Sequence, residues 1–264
     1  MGRGRQCPEL HGPPLCDGRA GRLGLSQLKR RQYAAELKDY RLDEHLVIGL
    51  LFLMEVMPSL GAREAYLLRA APCPTIAYSD ASWPEDGQSI DDRPPRLGWV
   101  VIRPGQRPVG FTILLGSEFL QLVLERKTQI YAAEAIAPLA AALLTPQLLQ
   151  GDVVWFCDNE AAVSSLIRGG SRAEDVGALA AAANLRAAEL GIRIWFEWVD
   201  TTSNPADGLS RDGVRDAWTR AQGWQVQEVP EVDLAVISAY LASPPASTFW
   251  PARLAAPASA CAAE

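Results

Sequence analysis

The 264-residue sequence has only two histidines, His11 and His45, and five scattered cysteines, Cys7, Cys16, Cys73, Cys157 and Cys261, none in a Cys-x-x-Cys pair. A structural zinc site is therefore not expected. An odd number of scattered thiols fits a reducing compartment better than a disulfide scaffold. No Asn-x-Ser/Thr acceptor occurs. The N-terminus is charged and contains proline, with no apolar run behind it, so no signal peptide is expected and the location is read as intracellular, nucleus or cytoplasm. Long apolar runs are also missing. The longest, Leu46 to Leu60, is shorter than the roughly 20 residues a membrane span needs, and Glu55 and Pro58 interrupt it. It predicts a packed helix and no membrane partner.

Positive charge is in short supply too. The chain carries 25 Lys and Arg against 31 Asp and Glu, a formal net charge of −6. That balance does not favour coating nucleic acid through bulk charge, although it leaves room for local basic patches. Hydrophobic residues make up 48% of the chain, enough for one sizeable core. The length alone is compatible with one or two domains, and the polymer-like ends favour one main domain.

Residues 1–30 are rich in Gly, Pro and Arg and end near the basic cluster Lys29-Arg30-Arg31, the pattern of a solvated arm or of a nucleic-acid tether. Residues 31–70 form a helical segment. Asp43 is placed to cap its helix, and Leu46, Leu50, Leu53, Met54 and Met57 recur at helical spacing until Pro58 and Gly61 stop it. The main domain is expected over 71–223, and 224–264 reads as a Pro/Ala-rich tail with a short helix near Val232 to Leu241.

Within the domain, Thr75 to Tyr78, Leu97 to Ile102 and Val109 to Leu115 predict three antiparallel strands, with a polar insertion at 84–95 and a Pro-Gly-Gln-Arg-Pro turn between them. The period then changes. Ile130 to Leu144 is helical, and Val153 to Cys157 is a compact apolar run that predicts a strand buried on both faces. Asn159 to Ile167 and Glu174 to Leu190 are helices ended by glycines, Ile192 to Val199 is a strand, and Gly213 to Ala221 is a short helix. The order β-β-β-α-β-α-α-β-α implies an α/β fold, a mixed sheet of about five strands with helices on both faces.

Four acidic residues fall where such a sheet gathers its ligands. Asp80 closes the first strand, Asp158 closes the apolar strand, Glu134 lies early in a helix, and Asp207 lies in the turn after the last strand. Clustered carboxylates raise one another's pKa unless cations neutralise them. An all-oxygen donor set favours Mg2+ or Mn2+ over zinc. Two such ions about 3.5–4 Å apart can divide phosphodiester hydrolysis, one activating a water and the other stabilising the departing oxygen. Taken singly, each acid is an ordinary turn former, helix cap or surface residue; the reading rests on all four together.

The local sequences resemble ribonuclease H domains, most closely those of retroelement polyproteins. Tyr78 to Trp83 (YSDASW) with Leu97 to Val101 (LGWVV) resembles the first hairpin of that family. Gln129 to Ala137 (QIYAAEAIA) resembles its first helix, Trp155 to Val163 (WFCDNEAAV) its fourth strand and following helix, and Trp198 to Arg211 (WVDTTSNPADGLSR) its final aspartate segment. Gly18 to Arg69 also resembles the end of a reverse transcriptase, its thumb or connection. No Tyr-x-Asp-Asp motif occurs, so polymerase activity is not expected, and the reverse transcriptase region would be missing or on another chain.

The resemblance implies a metal-dependent endonuclease that cuts the RNA strand of RNA–DNA hybrids with two ions. Asp80 would serve both ions, Asp207 the attacking-water side, and Glu134 and Asp158 the leaving-group side. Such enzymes read hybrid shape and 2′-hydroxyls. Ser82 and Asn159 are candidate nucleic-acid contacts, with local capping the alternative for each. Trp83 is the aromatic candidate, and Arg211, with Arg126, Lys127, Arg168, Arg172 and Arg215, is a candidate for a phosphate track. Trp155, Phe156, Trp195, Phe196 and Trp198 are expected in the core. The family's loop histidine is missing from Asp200 to Asn204, and its basic helical protrusion is missing as well. A decayed remnant that binds without cutting, and a different nuclease on the same fold, remain open readings.

Overall fold

The computed structural model describes residues 44–56, 73–84, 93–126 and 129–243. The expectations for the N-terminal arm, the Asp43 cap, Met57, Pro58, Gly61, Lys127 and most of the 84–95 insertion lie outside the described residues.

The fold is a mixed α/β sheet with helices. In chain order the elements are α1 (Glu44–Val56), β1 (Thr75–Ser82), β2 (Arg96–Ile102), β3 (Val109–Leu114), the single turn α2 (Ser117–Leu120), α3 (Ile130–Leu144), β4 (Asp152–Cys157), α4 (Glu160–Arg168), α5 (Glu174–Glu189), β5 (Arg193–Trp198), α6 (Asp207–Arg211), α7 (Ala217–Ala221), β6 (Gln225–Val229) and α8 (Ala235–Ala242). The six strands lie in the order β5-β4-β1-β2-β3-β6. β1, β2 and β3 form the antiparallel meander that the sequence predicts. β4 and β5 add in parallel on the β1 side.

The sixth strand is the main departure. β6 lies beyond Gly223, in residues whose composition reads as tail, and pairs parallel to β3 from Val109↔Gln225 to Ile113↔Val229. Leu234, Ile237 and Leu241 then bury themselves as α8 packs on α3. Gln225 to Val229 is mostly polar, with its two valines three positions apart and no alternation, so its period does not mark a strand beside a Pro- and Ala-rich run.

One face of the sheet carries the large core. Trp99 and Phe111 stack there at 5.2 Å; the Ala-rich α3 packs on β1 and β2, and the Ala-rich α5 packs on α3 and β5. Small side chains let these helix backbones approach, which is why both are buried on nearly every side. The other face carries α6 and a smaller cluster of Val100, Ala206 and Leu209. α6 lies against β1, β2 and β3, with no comparable packing on β4. For that reason β4 is not buried on both faces. Its exposure alternates, with Val153, Trp155 and Cys157 inside and Phe156 half-buried against Tyr78.

α1 differs from its expected face. Gly49, Phe52 and Leu53 are buried, whereas Leu50 and Met54 are exposed. The alternatives differ by a modest rotation about a helix that is apolar nearly all round, so spacing alone does not select the buried side.

Candidate metal centre

Asp80 sits inside β1 rather than at its end, because Ala81 and Ser82 continue the ladder opposite Leu97 and Arg96. Its carboxyl is buried, and Ser210 Oγ donates to Asp80 Oδ2. Ser210 belongs to α6, whose first residue is Asp207, so the expected turn at Asn-Pro-Ala-Asp-Gly is a helix entry. Three contacts fix α6 on the sheet. Asn204 Nδ2 donates to the Ser79 carbonyl at 2.9 Å, Ser82 Oγ donates to the Ser210 carbonyl at 2.6 Å, and Thr112 Oγ1 donates to the Leu209 carbonyl at 2.9 Å. Gly98 makes this approach possible, since a Cβ there would stand 2.8 Å from both Leu209 Cβ and Ser210 N.

Glu134 projects from the start of α3 to the same end of the sheet and is buried. The Ala81 main-chain N–H donates to its Oε1 at 2.8 Å, and the Cys157 thiol donates to its Oε2 at 3.5 Å. Asp158 follows β4 directly. Thr201 Oγ1 donates to Asp158 Oδ2 at 2.7 Å, and Trp198 Nε1 donates to the Asp158 carbonyl at 3.0 Å. Ligand atoms of Glu134, Cys157 and Asp158 lie within 4.8 Å of one another. Asp207 lies outside that tight group, as does Asp80. Arg211 Nη2 is 2.7 Å from Asp207 Oδ1 as an ion pair. It is not aligned as a hydrogen bond, and this solvent-shielded oxygen accepts none from the described residues.

Neighbouring charges act on the two buried acids, Asp80 and Glu134. Burial pushes the Asp80 carboxyl up to about 7; the Ser210 hydrogen bond opposes this, while the Asp158 and Asp207 charges add to it. Burial also holds Glu134 well above the usual carboxylate range, helped by Asp80 and Asp158, against the pull of the Ala81 N–H and the Cys157 thiol. The Cys157 thiol is itself raised, by burial and then by Glu134. Asp80 therefore feels the two other aspartates, and Glu134 feels Asp80 and Asp158. A site arranged this way resists full ionisation unless cations enter.

No protein-family model matches this chain, and no curated protein matches it in sequence. Solved structures similar to it include two ribonuclease H proteins. Ribonuclease H1 from the halophilic archaeon Halobacterium salinarum is 18% identical, with a TM-score of 0.35, over 54% of this chain and 98% of that one. The N-terminal ribonuclease H domain of Rv2228c from Mycobacterium tuberculosis, solved as a maltose-binding protein fusion, is 16% identical, with a TM-score of 0.39, over 56% of this chain and 96% of that one. Neither likeness assigns the chain a family.

The donor chemistry fits hard divalent cations. Carboxylate oxygens supply the set; of these, Asp207 Oδ1 already faces one cation, the Arg211 guanidinium. The sulfur of Cys157 stands beside Glu134 as a hydrogen-bond donor.

The expected nucleic-acid contacts are engaged locally. Ser82 Oγ is bonded to the Ser210 carbonyl. Asn159 caps α4, its Oδ1 accepting the Ala162 N–H at 3.0 Å. Trp83 is partly buried against the core, its ring 6.0 Å from that of Phe119. Arg211 is paired with Asp207. Of the aromatics expected in the core, Trp155 and Phe196 are buried, while Trp195 and Trp198 are exposed, because β5 is the edge of the sheet. Sequence reading misses Ser210, Thr201 and Asn204. Only Ser210 leaves a trace, at i+3 from Asp207 on a helical start, where side chains share a face.

Proposed function

We propose that this chain is a divalent-metal-dependent nuclease of the ribonuclease H type, acting on the RNA strand of RNA–DNA hybrids, and that Asp80, Glu134, Asp158 and Asp207 hold its ions. The observation that carries this reading is the convergence of carboxylates from β1, α3, the end of β4 and α6, close enough that the Asp158 and Asp207 charges act on Asp80, which burial pushes up to about 7, and that Asp80 and Asp158 act on the buried Glu134. The order of these acids along the chain and the sequence motifs around them supply the family likeness, including its retroelement flavour.

Two Mg2+ or Mn2+ ions bound here would supply an activated water and neutralise charge at the departing oxygen. The residues around them fix the geometry. The Ala81 N–H and Cys157 thiol hold Glu134, and Thr201 and the Trp198 indole hold Asp158. Ser210 orients Asp80, and α6 delivers Asp207 from the opposite face. The tight grouping of Glu134 with Cys157 and Asp158 supports one ion position there, with Asp80 and Asp207 outside that group. Among the described residues no helix is long and apolar enough to cross a membrane.

The test is incubation of the purified chain with labelled RNA–DNA hybrid, duplex DNA and duplex RNA, each with Mg2+, Mn2+ or EDTA, beside Asp158→Asn. Hybrid cleavage lost with EDTA and with the substitution is the expected result. Binding without cutting in any metal would instead identify a decayed, binding-only protein. Cutting of duplex DNA would identify another nuclease on the same fold.

A further inference from the structure

Trp198 is an exposed aromatic tied to a candidate metal-binding residue. It ends the edge strand β5, opposite Cys157 on β4, and its side chain is held by the Nε1–H bond to the Asp158 carbonyl at 3.0 Å. Despite this tether the residue remains 44% exposed. Its segment grips Asp158 a second time through Thr201 Oγ1. Among the described residues no strand pairs with the outer edge of β5. A ligand reaching the carboxylates from this side therefore meets an indole whose angle is fixed by the residue that would bind its metal.

The surroundings narrow the ligand. Glu197 Oε1 accepts the Trp198 main-chain N–H at 3.2 Å, and the exposed Asp200 follows two residues later. Negative charge on this flank disfavours a phosphate as the contacting group. A paired duplex presents base edges and backbone, with base faces already stacked inside. An unpaired nucleobase offers the face that an open indole stacks upon, whatever its sequence.

We propose that Trp198 is a substrate-positioning residue that stacks an unpaired nucleobase next to the candidate metal centre, so that the preferred substrate is a hybrid continuing into single strand. This specifies the substrate class of the site proposed above and rests on that reading. It gives a single-stranded extension a role that duplex shape recognition alone does not provide.

The test measures equilibrium binding of labelled RNA–DNA hybrids in Ca2+ at fixed ionic strength. One hybrid is blunt, one carries a three-nucleotide RNA overhang, and one carries the same overhang without bases; each overhang is placed on either end in turn. The wild-type chain is expected to bind the base-bearing overhang about 5- to 150-fold more tightly than the abasic one on one of the two ends. Trp198→Ala should erase that ratio, each variant's overhang affinities being read against one another, and Trp198→Phe should retain most of it. Equal affinity for base-bearing and abasic overhangs in the wild type, a comparison that needs no variant, would overturn the proposal. So would a ratio that survives in Trp198→Ala. Cleavage of blunt hybrid in Mg2+, run in parallel, separates the two readings. Cutting with no base-dependent ratio defeats the Trp198 role alone, whereas a Trp198-dependent ratio without cutting defeats the nuclease reading alone.

Discussion

The Ala81 main-chain N–H donates to Glu134 Oε1 at 2.8 Å, joining β1 to α3 across 53 positions of sequence. The bond requires an oxygen at that place but not a negative charge. Glu134→Gln keeps the acceptor and removes the repulsion from Asp80 and Asp158 that accompanies ionisation of this buried group. The variant is therefore expected to melt at or above the wild-type temperature without metal. It should also lose most of the metal-induced rise in melting temperature and at least tenfold in hybrid cleavage. Differential scanning fluorimetry with and without Mn2+ reads the first two effects.

Metal removal should be visible in the wild type as well. A ligand that binds only the folded chain stabilises it by about 2.7 kcal/mol at a hundred times its Kd. Mg2+ or Mn2+ at that excess is expected to raise the melting temperature and EDTA to reverse it, with Asp80→Asn insensitive to both. A wild-type melting temperature indifferent to both ions would contradict the proposed centre.

Arg126 and Asp175 give the pH-dependent case, well away from that centre. Asp175 is fully buried and ion-paired with Arg126, and its Oδ2 accepts the Leu124 N–H at 2.8 Å, tying down the segment that leads into α3. Burial alone would raise this carboxyl, but the Arg126, Leu124 and Val176 bonds outweigh it and hold it below the usual carboxylate range. A depressed carboxylate contributes stability above its unfolded value of 3.8, and that contribution is lost as pH falls through the lower folded value. Arg126→Met should cost about 3 kcal/mol at pH 7 by stranding a buried charge. The gap to wild type should shrink as pH falls through the variant's carboxyl, which unopposed burial raises, down to the depressed folded value of the wild type, below which both are protonated. Urea unfolding at several pH values checks the closing gap.

Gly98 sets how closely α6 approaches the sheet. An added methyl would meet Leu209 Cβ and Ser210 N at 2.8 Å, closer than packed atoms come. Gly98→Ala is expected to cost about 1–3 kcal/mol by overpacking. It should also weaken metal binding, because the displaced helix carries Asp207 and Ser210. Isothermal titration with Mn2+ would show the affinity change, and unchanged affinity in a folded variant would refute the link.

Much of the fold is legible in the sequence because its signals are local. α3 occupies Ile130–Leu144, as its spacing predicts. α4 has its Asn159 cap and ends at the left-handed Gly169 with φ 65°, the kind of punctuation that sequence carries directly. The four acids are legible as a set for the same reason, since each sits beside a strand or helix signal. What escapes depends on tertiary neighbours. Trp195-Phe196-Glu197-Trp198 offers consecutive aromatics with no clean alternation, and only the position of β5 at the sheet edge exposes two of them. Ser210 acquires its importance from Asp80, 130 positions earlier. α1 loses its expected face because an all-apolar helix can turn several ways toward a core.

The parallel pairing of β6 with β3 bears on any attempt to trim the protein. A chain cut after Gly223 would retain all four carboxylates of the proposed metal centre, yet the β3 backbone from Val109 to Ile113 would be left as a raw hydrogen-bonding edge, and α3 would lose the cover of Ile237 and Leu241. Uncapped edges recruit other chains. Such a fragment is expected to aggregate, and its inactivity would say nothing about its chemistry.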